Sequence, residues 1–312
     1  MSPEAARGRP AWARALAYAL SGLALVWVLA LWWEHWPAVL ESAGRARAGP
    51  LVLGLLLAVL SALCAFQAYL VLAWRMVPGN LSPGRLFNFY FVSQLLKHLP
   101  GRVWGIGYQA AYGRSEAGLK TWVGVNLAHM GAAAYWALAC AFAILSSRFG
   151  APMPFVVLAL SALVFAAALA LASRLGATRP FSRWRWSREL LAHAFRPVAF
   201  GGWFRVVAAF LAANLFQHLS WMAYGSALGI PGFDAMLSLS AAYMLAWFIG
   251  YAALLTPSGL GIRELSFAWL AGTQDPQLVA MMAVVGRASF LSVDVLLGGA
   301  CLAPRLGPRA GG

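Results

Sequence analysis

Charge is scarce in this chain. Only 10% of its 312 residues are Asp, Glu, Lys or Arg, while 62% are hydrophobic. An ordinary soluble domain carries about 25% charged and 45–50% apolar residues. The deficit excludes a soluble globular enzyme, and the wealth of Leu, Ala, Val, Trp and Phe excludes disorder. Acidic residues are the rarest, 9 against 23 basic, for a net charge of +14. In a soluble protein that imbalance would suggest nucleic acid. In a chain this apolar it is the basic excess of cytoplasmic loops, and no nucleic-acid partner is expected. Cys64, Cys140 and Cys301 are the only cysteines. They lie far apart inside apolar stretches, without metal-ligand spacing, and read as small hydrophobes. No GxxxxGK[ST], HExxH or GxSxG motif occurs. The longest hydrophilic stretch, 174–205, is too short for an independent catalytic domain. Neither an enzyme nor a cofactor or metal site is expected.

What the chain does have is long apolar runs. Trp12–Trp33 follows Arg7, Arg9 and Arg14 and ends in Trp32-Trp33-Glu34-His35-Trp36, an aromatic interface belt. At 1.5 Å per residue it reaches roughly 33 Å, enough to cross the hydrocarbon core. It lacks the short core and small-residue cleavage site of a signal peptide, so it reads as an uncleaved span with a cytoplasmic N-terminus. Further spans are expected at 51–74, 121–145, 154–172, 203–228, 235–255 and 277–302. Between them, 174–205 holds Arg174, Arg179, Arg183, Arg185, Arg188, Arg196 and Arg205 against Glu189 alone. The positive-inside rule places this basic loop, 174–202, in the cytoplasm. Its Arg/Trp run 181–188 suits a segment lying on anionic lipid.

Two elements break the pattern. Phe87–Leu99 is apolar but too short to cross and stops at Pro100-Gly101; a short segment, Arg102–Tyr112, follows. Near the end, Thr256-Pro-Ser-Gly-Leu-Gly-Ile-Arg-Glu264 opens a short helix over Ile262–Ala271. The two breaks hold comparable places in two loosely similar halves. Irregular backbone at membrane depth is tolerated only where protein or water satisfies it, and paired Pro/Gly interruptions mark transporter binding sites. Each break starts a half-helix with unpaired N–H groups and partial positive charge, and Arg102 and Arg263 stand at those starts. Such a site suits a phosphate, and lipid phosphate is the most available in a membrane. Gly101, Gly259 and Gly261 would permit the tight backbone.

The last span carries Arg287 and Asp294, seven residues apart on one face. Each unpaired charge at mid-bilayer costs about 2.5–3.5 kcal/mol, so both need partners or a polar cavity; Glu264 and Arg263 are the candidates. They form either a static ion pair or, with Lys97, part of a polar path. Asn126 and His129 share one helix face, and Asn214, Gln217 and His218 another. These suit interhelical hydrogen bonds or, for the histidines, a proton relay.

Lys97-His-Leu-Pro-Gly-Arg-Val-Trp104 and Pro257-Ser-Gly-Leu-Gly-Ile-Arg-Glu264, with Arg287 downstream, resemble motifs of the lysylphosphatidylglycerol synthase transmembrane region, or flippase-like domain, family. The resemblance covers about 51–302. His98 stands where that family usually has an aromatic residue. It implies a flippase-like handler of lipid or lipid-linked intermediates, of anionic phospholipid, polyprenyl or hopanoid type. The family's aminoacyl-transferase domain has no counterpart here, so lipid aminoacylation is not implied. The sequence-level expectation is one integral membrane domain over 1–312, all-α and polytopic, in the bacterial inner membrane. It would have about seven to eight transmembrane helices and two re-entrant elements. Arg102 and Arg263 with Gly101, Gly259 and Gly261 would bind lipid phosphate; Glu264, Arg287, Asp294 and Lys97 would line the path. The alternative is a non-catalytic membrane partner of a glycosyltransferase or lipid-synthesis complex, docking through 181–188. Seven crossings with two re-entrant elements would leave the C-terminus outside, whereas Arg305 and Arg309 argue for inside.

Overall fold

The computed structural model describes Gly44 and residues 46–79, 81–97, 104–113, 117–176, 200–252, 261–272 and 275–306. The elements among them are helical: α1 (Ala48–Met76), α2 (Pro83–Leu96), α3 (Trp104–Tyr112), α4 (Leu119–Ser146), α5 (Met153–Gly176), α6 (Phe200–Ala227), α7 (Phe233–Ala252), α8 (Ile262–Ala271) and α9 (Pro276–Leu306). Six of them, α1, α4, α5, α6, α7 and α9, are long and apolar enough to cross a membrane. They match six of the seven expected spans; the seventh, 12–33, lies outside the described residues. A helix is the natural state for such segments, because a backbone surrounded by hydrocarbon must satisfy its own hydrogen bonds. The apolar window of α5 has no buried residue, and Phe155 and Leu163 project outward, as suits a lipid-facing helix.

The centre is an antiparallel pair, α1 and α6. The Arg47 backbone N–H donates to Ala227 O at 3.1 Å. Further along, Ser220 Oγ donates to Gly54 O at 2.7 Å and Ser61 Oγ to Ala213 O at 2.8 Å. Hydroxyls that reach backbone carbonyls of a neighbour need close helix approach, which small interface residues allow. Around this pair, α4 contributes Trp136 and Ala132, packed with Ala68, Leu72 and Phe210.

Chain direction follows from these contacts. α1 ends, and α2 and α4 begin, at the end of the bundle where α5 ends and α6 begins. We name this the basic end after the arginines that the sequence puts between those two helices. The start of α1, the end of α6 and the start of α7 lie at the far end.

α2 and α3 form an antiparallel helical hairpin entered from the basic end. Ser82 caps α2, its Oγ accepting from Arg85 N at 3.4 Å, and Pro83 follows in the first turn, where its missing N–H does no harm. Tyr108 OH donates to Asn88 Oδ1 at 2.7 Å, and Ser93 Oγ lies 3.0 Å from Gly105 O. A Cβ on Gly105 would come within 2.8 Å of Ser93 O, so only glycine lets the two helices meet there. At about 21 and 13 Å, both helices fall short of a 30 Å core.

α7 and α8 form the second hairpin, entered from the far end. Arg263 Cβ packs against Gly250, and Phe267 meets Tyr243 edge-on at 5.2 Å. α8 therefore runs back along α7, and α9 starts again from the far end. Asn88 Nδ2 donates to Cys301 O at 3.1 Å, which sets the C-terminal part of α9 antiparallel to α2 and at the basic end. Because α8 reverses α7, α9 ends at the same end of the bundle at which α2 begins.

Candidate functional site

The two hairpins reach α9 from opposite ends, and each is held there by an ion pair. Arg287 Nε donates to Glu264 Oε1 at 2.7 Å, as the stranded charges of the last span lead one to expect. Asp294 does not pair with Arg263 or Glu264. Its Oδ2 lies 2.9 Å from Lys97 Nζ, just beyond the end of α2, and Lys97 Nζ also donates to Gln94 Oε1 at 3.0 Å. The correction has a simple cause. Seven residues of helix rise about 10 Å, so the level of Arg287 fits the start of α8 while Asp294 sits two turns nearer the basic end. Both pairs connect elements that the sequence treats as a polar path, with Lys97 and Asp294 on one hairpin and Glu264 and Arg287 on the other. Gly101, Arg102 and Gly259 lie outside the described residues, as does the 181–188 run.

The start of α8 is the more unusual place. Gly261 has φ +82°, a left-handed backbone that side chains rarely tolerate. It turns the chain so that its N–H donates to Glu264 Oε2 at 2.9 Å, the half of a capping box that glycine can make. The two oxygens of Glu264 thus serve different donors, the helix start and Arg287. Two acceptor oxygens beside two guanidinium groups suit an ionised carboxylate.

Arg263 is only 6% exposed. Its guanidinium carbon lies 5.1 Å from the Tyr243 ring centroid and 5.5 Å from that of Phe290, a desolvated cation between π-faces. Arg263 Nε stands 3.7 Å from Glu264 Oε1, close enough for attraction and too far for a hydrogen bond. Arg263 Nε and Nη2, Arg287 Nη2 and the Tyr243 hydroxyl are buried without a hydrogen-bond partner. Buried polar groups are normally satisfied, so four such atoms around one helix start are a concentrated exception. Among the described residues, two guanidiniums and one carboxylate meet at this helix start.

A residue that the sequence does not single out dominates the first hairpin. Gln109 is fully buried. Its Oε1 accepts from Tyr69 OH at 3.0 Å and Asn126 Nδ2 at 2.7 Å. Its Nε2 donates to Ser93 Oγ at 2.7 Å and Phe89 O at 3.3 Å. One amide therefore ties α1, α2, α3 and α4 together with its hydrogen-bonding capacity filled. The expected interhelical bonding of Asn126 is part of this network. His129 Nε2 contacts Ala65 O at 3.1 Å inside a ring of Tyr69, Tyr90 and Phe210. Ser240 Oγ donates to Leu237 O at 2.7 Å, so it receives the proton of His218 Nδ1 at 2.9 Å. Both histidines connect helices.

No family model, curated protein or solved structure matches this chain.

Proposed function

We propose that the protein binds the phosphate of an anionic lipid or lipid-linked intermediate at the start of α8 and moves that lipid across the membrane. The observation that carries this reading is Arg263, buried and charged, with two unpartnered N–H groups beside an unpartnered Arg287 Nη2. An uncompensated cation in an apolar bundle is destabilising unless an anion completes it. Guanidinium groups at a helix start form the donor set that phosphate favours. Arg102 with Gly101, and Gly259, would complete the cradle from the two break segments. Translocation is supported by direction: α2 with α3 and α7 with α8 reach α9 from opposite ends, at levels about 10 Å apart, the layout expected where a substrate is handed between faces. The resemblance of the two motifs to the flippase-like domain family points the same way. In this reading the protein is a transporter of the bacterial inner membrane, with the basic end cytoplasmic.

The test is lipid movement in reconstituted vesicles. Fluorescent phosphatidylglycerol should equilibrate between leaflets with the wild-type protein, and Arg263→Gln and Arg102→Gln should each abolish it while the protein stays folded. Movement at the wild-type rate in Arg263→Gln contradicts the proposal.

A further inference from the structure

We infer that the Tyr243 hydroxyl is a further ligand of the lipid phosphate, so that α7, α8 and α9 each hold the headgroup through one residue: Tyr243, Arg263 and Arg287. The inference rests on the phosphate-binding reading above and adds a neutral donor to its two guanidiniums.

The ring fixes where the hydroxyl goes. Tyr243 is fully buried. Trp221 lies against its ring at a centroid distance of 3.7 Å, Phe267 meets it edge-on at 5.2 Å, and Phe290 lies near-parallel at 6.4 Å. The Arg263 guanidinium carbon is 5.1 Å from the same centroid. A ring packed on these sides keeps one rotamer. Its hydroxyl lies against α9, because a Cβ on Gly286 would come within 2.9 Å of the Tyr243 oxygen. The next residue of α9 is Arg287.

Packing does not explain the hydroxyl. Phenylalanine would make the same ring contacts without it, and a buried hydroxyl with no hydrogen-bond partner lowers stability. The other unpartnered atoms at this helix start, Arg263 Nε, Arg263 Nη2 and Arg287 Nη2, are N–H donors. What these groups share is the need for an acceptor. Glu264 does not meet it: its oxygens serve Arg287 Nε and the Gly261 amide, and Oε1 stands 3.7 Å from Arg263 Nε. Arg263 Nε and Nη2 form one edge of the guanidinium, which suits two oxygens of a single anion. A phosphate has lone pairs enough for that edge and for a further donor from α7. Because the phenol is neutral, it strengthens the hold on the anion without adding another buried charge, which is costly in an apolar bundle.

The experiment compares melting temperatures of the full chain in phosphatidylcholine nanodiscs with and without phosphatidylglycerol, and counts retained phosphatidylglycerol by native mass spectrometry. Phosphatidylglycerol should raise the wild-type melting temperature. Tyr243→Phe keeps the ring contacts and removes an unmet hydroxyl, so in phosphatidylcholine alone it should melt at or above the wild-type temperature. Its retained phosphatidylglycerol should fall about tenfold, the loss of one hydrogen bond to a charged acceptor, and the lipid-dependent rise should shrink with it. Tyr224→Phe is the control. That hydroxyl is paired with Ser289 Oγ, so the variant should melt lower in both discs and keep the wild-type rise. An unchanged rise and retention in Tyr243→Phe, or a lower melting temperature of that variant in phosphatidylcholine alone, would overturn the inference and leave the phosphate-binding reading standing. So would an equal loss of phosphatidylglycerol in Tyr224→Phe. A wild type that gains nothing from phosphatidylglycerol would sink both. A rise from millimolar inorganic phosphate with none from phosphatidylglycerol would do the same, since the ligand would then be a soluble ion.

Discussion

The first hairpin, α2 with α3, and the second, α7 with α8, both fold back on themselves, and both pin their inner ends to α9. Their polar chemistry differs. In the first, Gln109 bonds to Tyr69, Asn126, Ser93 and Phe89, and Lys97 pairs with Asp294. In the second, Arg263, Arg287 and Tyr243 carry buried atoms without partners. A satisfied network rigidifies its surroundings, and an unsatisfied one invites a ligand. On the proposed reading the described part of the first hairpin is scaffold and the start of α8 binds, although the sequence gives each hairpin a Pro/Gly break and an arginine.

Substitutions can break that contrast, and the largest effect should come from the second hairpin. Arg263→Met should slow lipid movement about 100-fold, the loss of roughly one strong charge-assisted interaction. Because it removes the unbalanced buried cation and leaves Glu264 with Arg287, the melting temperature should stay level or rise. A thermal-shift series beside the vesicle assay checks both halves; a large drop in stability would recast Arg263 as structural. In the first hairpin the pattern should invert. Gln109→Leu strands Asn126, Tyr69 and Ser93 and should destabilise by about 2–4 kcal/mol, read from denaturant unfolding in detergent, while the folded fraction still binds anionic lipid. Gly105→Ala forces a Cβ to within 2.8 Å of Ser93 O and should cost about 1–3 kcal/mol by parting α2 from α3. The smallest effect belongs to the Lys97–Asp294 pair. Asp294→Asn, which removes the carboxylate from beside the 40% exposed Lys97 side chain, should lose about 1 kcal/mol, and Lys97→Gln combined with Asp294→Asn should lose less than the sum of the two single losses. Additive losses would show that the pair is not coupled.

Much of this was readable from residue order. The spans follow from apolar length, the short helix at Ile262–Ala271 from the Pro/Gly run before it, and the Arg287–Glu264 pair from charges that cannot stay alone in hydrocarbon. Other features depend on chain direction, which hydropathy does not encode. Asp294 finds Lys97 only because α9 runs antiparallel to α2, and the end of the bundle that α9 reaches depends on α8 turning back along α7. Gln109 was invisible for a different reason: one glutamine in a short apolar segment shows no periodicity, and its importance comes from four helices converging on it. The cap at Gly261 was also obscured, because the usual signature begins with Ser or Thr rather than glycine.

The central claim is that a lipid phosphate sits against the Arg263 guanidinium. Solid-state NMR measures this through the dipolar coupling between lipid ³¹P and arginine ¹⁵N in phosphatidylglycerol bilayers. A direct hydrogen bond places these nuclei about 4 Å apart. The predicted result is a coupling of that strength that vanishes in Arg263→Gln; a coupling equally strong in wild type and variant, or none in either, would contradict it.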